Sequence, residues 1–61
     1  MKKVKILNNI FTIRTKGCEA LVLNDEGFKY EVQILTQPNK DKKAIPVGKI
    51  MKVSKLDVEV I

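Results

Sequence analysis

The residues able to act on a substrate are few and widely spaced in this chain. Seven carboxylates are scattered as Glu19, Asp25, Glu26, Glu31, Asp41, Asp57 and Glu59. Ser54 is the only serine, Cys18 the only cysteine, and histidine is absent. Without histidine, no side chain has an ordinary pKa suited to general acid–base work near neutral pH. Ser54 and Cys18 therefore lack the base that would activate them as nucleophiles. One thiol and no imidazole cannot supply the four ligands of a zinc site. Asp25-Glu26 stand beside Gly27 and read as turn chemistry rather than as a cation site. No run of glycines precedes a helix, so a phosphate-cradling loop is not expected. The chain is expected to be non-enzymatic and to carry no cofactor or metal.

Binding is the better class, and its residues are cationic. The formal net charge is +5 with a pI near 9.6, and eleven of the twelve basic residues are lysine. That balance fits an anionic partner, either nucleic acid or an acidic protein surface. The candidates for phosphate contact are Lys2, Lys3, Lys5, Arg14, Lys16, Lys29, Lys40, Lys42 and Lys43. Lysine neutralises phosphate as a point charge and reads little base information. Arg14 alone could make a bidentate contact to guanine. The aromatics are Phe11, Phe28 and Tyr30. Phe28 and Tyr30 alternate in phase with Val32 and Ile34, which places them in a core before it makes them stacking platforms. Such a protein would contact nucleic acid backbone, DNA or RNA, with little sequence selectivity. The rival is a protein-binding module that takes an acidic partner along a strand edge, at the Pro46 segment or the N-terminal strand. The same edge could support a homodimer. One continuous basic face would favour nucleic acid; dispersed lysines beside an exposed apolar edge would favour protein.

These side chains have to be positioned by strands. The stretch Cys18 to Leu35 organises the rest. Phe28-Lys29-Tyr30-Glu31-Val32-Gln33-Ile34 alternates with period two, as a half-buried strand does. Ala20 to Leu23 is a short apolar run suited to a partner strand. Asn24-Asp25-Glu26-Gly27 reads as a four-residue hairpin loop closed by glycine. Further strands are expected near 3–7, over Ile10 to Thr15, over Ala44 to Val47 and Ile50 to Val53, and over Leu56 to Val60. Thr36 to Lys43 has no apolar periodicity and is expected to be the longest and most mobile loop. No stretch shows helical periodicity over the ~10–12 residues a helix needs. Five or six short strands predict an all-β domain, a small SH3-like barrel or orthogonal sandwich. The inward set is Val4, Ile6, Phe11, Ile13, Ala20, Val22, Phe28, Tyr30, Val32, Ile34, Ile45, Val47, Val53, Leu56, Val58 and Val60, with Leu21 and Leu23 competing for the face of Ala20 and Val22. Cys18 reads as a small buried residue.

The arrangement from Gly17 to Val53 resembles the SH3-like small barrels of KOW-type modules and short phage proteins. The resemblance rests on Gly17 before a strand, a longer amphipathic partner from Phe28 to Leu35, and Ile45-Pro46-Val47-Gly48-Lys49-Ile50 after a loop. Lysine richness and small size are also similar to phage accessory proteins. The resemblance implies a binding module acting in the cytoplasm of a bacterial or phage-infected host cell.

Length and cysteine usage agree with one intracellular domain. A 61-residue chain buries only ~60% of its unfolded surface, so nearly every apolar residue must reach the core. A lone cysteine excludes disulfide stapling and fits a reducing compartment. Met1-Lys2-Lys3 begins like a targeting segment, but Lys5 and Asn8-Asn9 interrupt any apolar run. The longest uncharged stretch, Ile6 to Ile13, is too short and too polar to span a membrane, so no membrane partner is expected.

Overall fold

Strict alternation produces the second strand of the central hairpin. A computed structural model describes residues 2–61, and Met1 lies outside the described residues. In strand β3 (Lys29–Ile34), Tyr30, Val32 and Ile34 are buried while Lys29 is exposed and Glu31 and Gln33 half-buried. The other strands are β1 (Lys3–Ile6), β2 (Glu19–Asp25), β4 (Ile50–Ser54) and β5 (Val58–Val60). All pair antiparallel in one sheet ordered β4-β3-β2-β1-β5. The domain is all-β, and the only helix among the described residues is a 3₁₀ turn over Lys55–Asp57. The Ser54 hydroxyl caps that turn by accepting from the Leu56 amide at 3.2 Å.

The sheet is not closed into a barrel, which corrects the closed form of the expectation. Its two edges are β4 and β5, which the three-residue 3₁₀ turn joins without pairing them. The core lies on one face. Val4, Ile6, Ala20, Val32, Ile34 and Val53 come from strands, and Cys18 and Ile45 from the connecting segments. Burial pushes the Cys18 thiol pKa up, with a hydrogen bond to Gln37 opposing in part, so the thiol stays protonated at neutral pH. Among the described residues no helix is long and apolar enough to cross a membrane.

Several expected strands are not formed, each for a local reason. Ile10 to Thr15 is a tight turn, with Ile13 N–H donating to the Ile10 carbonyl at 3.0 Å. The polar residues around it hold it there. Thr15 Oγ1 accepts from Ile10 N–H at 3.1 Å and donates to the Asn8 carbonyl at 2.8 Å. Asn9 Oδ1 accepts from the amides of Thr15 and Lys16. Such side-chain bonds compete with a strand ladder. Ala44 to Val47 forms only a single parallel bridge, Arg14 to Ala44; Pro46 cannot donate to a ladder there. The central hairpin turns later than its sequence indicated. β2 runs through Asp25 and absorbs a bulge at Leu23, leaving Gly27-Phe28 as a two-residue loop inside the Glu26–Lys29 bond. Gly27 takes φ +89° at the first loop position, which suits a hairpin turn.

These shifts move residues out of the inward set. Phe11 is 95% exposed, Phe28 90% and Leu56 90%; Ile13, Val47 and Val60 are also exposed. Ala20 is buried and Val22 packs against the core. The choice of that face over Leu21 and Leu23 follows from cross-strand pairing with Ile34 and Val32.

Candidate nucleic-acid interface

Arg14 is where the cations gather, because two connecting segments tie together around it. Its N–H donates to the Lys43 carbonyl at 2.8 Å, and its own carbonyl accepts from Gln37 Nε2 at 3.0 Å. Asn39 Nδ2 reaches the Lys16 carbonyl at 2.9 Å. The segment 36–43 lacks regular structure, yet Gln37, Asn39 and Asp41 satisfy backbone groups in and around it. Gly17, at φ +87°, runs so close to Pro38 that a Cβ at Gly17 would lie 3.0 Å from the proline ring. The ties set the segment carrying Arg14 and Lys16 beside the one carrying Lys40, Lys42 and Lys43. Asp41 is the only acid in either segment. It bonds Arg14 Nε at 3.0 Å and the Lys43 amide at 3.2 Å, with both side chains of the ion pair well exposed. A surface pair of that kind adds little stability; it orients the guanidinium and leaves the lysines free.

The remaining expected contacts are not part of this cluster. Lys3 and Lys5 lie on the outer face of β1, and Lys5 sits directly between Glu19 of β2 and Glu59 of β5. Glu31 likewise opposes Lys52. The outer sheet face is thus a mixed-charge surface. Lys2 turns to the core side, where its Nζ donates to the Tyr30 hydroxyl at 3.3 Å and lies 5.3 Å from the ring centroid. Lys55 covers the same ring at 4.8 Å and pairs with Asp25 at 2.7 Å. The Lys55 ammonium, helped by the Gly27 amide, holds the Asp25 carboxyl below the usual carboxylate range. A depressed folded-state pKa gives stability that is present above the unfolded value of about 3.9 and is lost as pH falls through the folded value. We expect the Asp25 midpoint by NMR to lie below the ordinary carboxylate range, and Lys55→Gln to raise it. An unmoved midpoint would show that Lys55 is not the cause.

Lys29 belongs to a second region that the sequence did not reveal. It rims a cleft of about 190 Å³ whose walls are Ile10 and Phe11 from the tight turn, Val53 and Ser54 from β4, and Asp57 from the 3₁₀ turn. Lys52 is at the same rim and is bonded to Glu26 at 3.2 Å. Asp57 is held by Asn8 Nδ2 at 3.0 Å. Phe28 precedes Lys29, and Leu56 precedes Asp57. Of the three most exposed large apolar side chains, Phe11, Phe28 and Leu56, only Phe11 lines the cleft. Asn8, Asn9 and Thr15 bracketing the five residues Ile10-Phe11-Thr12-Ile13-Arg14 was the signal that could have marked Phe11 as a turn residue.

β4 also presents a free edge. Ile34 N–H donates to the Lys49 carbonyl and Lys55 N–H to the Phe28 carbonyl. By antiparallel alternation, the backbones of Ile50, Lys52 and Ser54 then point away from β3. The N-terminal strand is not such an edge, since β1 lies between β2 and β5.

No protein-family model, curated protein or solved structure matches this chain.

Proposed function

We propose that this is a non-enzymatic module that contacts nucleic acid backbone through Arg14, Lys16, Lys40, Lys42 and Lys43. The observation that supports this reading is that backbone ties set the segment of Arg14 and Lys16 beside the segment of Lys40, Lys42 and Lys43, with Asp41 pairing only Arg14 among these cations. An SH3-like plan is part of the reading. A 3₁₀ turn leads from β4 to β5, β5 returns to β1, and β2-β3-β4 form a meander. Lys3 and Lys5 are left out of the interface, because Glu19 and Glu59 oppose Lys5 across the sheet.

Lysine contacts to phosphate release counterions, so affinity should fall with salt. For about four contacts the log–log slope is near −3 to −4 on duplex, or roughly a hundredfold between 50 and 200 mM salt. Changing Lys40, Lys42 and Lys43 together to Gln is expected to weaken binding to all sequences alike and to flatten the slope by roughly 2 to 3. Titration of labelled oligonucleotides at both salts measures this. An unchanged slope would remove the cluster from the interface.

A second reading has its own observation. The open backbone of Ile50, Lys52 and Ser54 on β4 could accept an added strand from an acidic protein partner, such as a host protein that a phage-type module modulates. A second copy of the chain fits this edge less well, since antiparallel pairing about Lys52 would set that lysine against itself.

A further inference from the structure

Phe11 has no structural reason to be phenylalanine. Its ring is 95% exposed, so burial does not favour it. Its backbone is at φ +54°, a left-handed conformation that is costly for a bulky residue and suits Gly or Asn. Strained positions that packing does not explain point to function. Phe11 is also three residues from Arg14 of the cation cluster and forms a wall of the Lys29–Lys52 cleft.

We propose, resting on the nucleic-acid reading above, that the ligand is single-stranded and that one of its bases stacks on Phe11 at this cleft. The cleft is apolar at Ile10, Phe11 and Val53, which suits the flat face of a neutral base. Lys29, on the same lining, is placed to meet a flanking phosphate, while Lys52 is already paired with Glu26. A duplex keeps its bases stacked inside and cannot offer a face to the ring, whereas an open strand can.

The test compares a labelled twelve-nucleotide single strand with the duplex of the same sequence at 50 mM salt. The wild type is expected to bind the single strand at least tenfold more tightly. Phe11→Leu should weaken single-strand binding by about five- to a hundredfold, the range for losing one stacked base. It should leave duplex binding, the salt slope and the melting temperature unchanged, while Phe11→Tyr should bind like wild type. Equal affinity for strand and duplex, or wild-type binding by Phe11→Leu, would overturn the inference; the triple lysine variant would still report on the backbone reading. Failure of every oligonucleotide to bind would overturn both. Capture of a labelled peptide of alternating Glu and Val in that event would assign the β4 edge to a protein partner.

Discussion

Ile34→Ala is expected to leave the protein largely unfolded at physiological temperature. The side chain is 1% exposed on β3, an interior strand of the sheet. Its removal strips buried surface and leaves a cavity, at a cost of about 2–5 kcal/mol. A chain of this size has roughly 3–9 kcal/mol in total, at 0.05–0.15 kcal/mol per residue. A loss of about 3 kcal/mol lowers the melting temperature by some 12–24 °C. Phe28→Ala, although it deletes a larger side chain, is expected to shift stability by no more than about 0.5 kcal/mol, because the ring is already in water. Circular dichroism melts of the two variants measure the contrast. Equal losses would mean that Phe28 packs in the core after all.

Thr15→Val should destabilise through hydrogen bonds rather than volume. Thr15 is the one fully buried polar residue among those described. Valine fills the same space but leaves the Ile10 amide and the Asn8 carbonyl without a partner. An unmade buried bond costs about 1–3 kcal/mol; both groups gain some access to water here, so we expect roughly 2 kcal/mol in total. The same change releases the turn that carries Phe11 and leads into Arg14, so oligonucleotide affinity should fall with stability. Thr15→Ser keeps the hydroxyl and should retain most of the binding. A valine variant that melts within about 2 °C of wild type would refute this account of the turn.

What the sequence revealed depended on how local the cause was. β3 was legible because alternation alone dictates its buried face. The side of β2 was open between Ala20 with Val22 and Leu21 with Leu23; pairing with Ile34 and Val32 decides it, and the bulge at Leu23 then changes the register. The two phenylalanines were misplaced because a one-residue shift in a turn moves a side chain from the core to the tip. At Phe28 the difference is whether Gly27 ends the loop or begins it. At Phe11 the strand pattern was present, but Asn9 and Thr15 outbid it with their own hydrogen bonds. For the interface, Lys40, Lys42 and Lys43 were visible as a run. Their meeting with Arg14 and Lys16 was not, since it depends on a parallel bridge between distant segments. Lys2, Lys3 and Lys5 looked like one cluster but divide between the faces, Lys2 toward Tyr30 and Lys3 and Lys5 outward, and only the cross-strand register shows that Lys5 faces two acids.

The pairing of the last strand with the first has a consequence for how the chain finds its fold. β2, β3 and β4 are consecutive, and the hairpin between β2 and β3 closes over a two-residue loop. Joining Val4 to Val60 instead closes a loop of nearly the whole chain. By the logarithmic law for loop closure, that step costs roughly 2 kcal/mol more than a short hairpin if made from the open chain. Once the meander and the 3₁₀ turn are in place, they hold the two ends close and most of that entropy has already been lost. The route of least entropic resistance therefore runs from the middle of the sequence outward, with the two terminal strands meeting last.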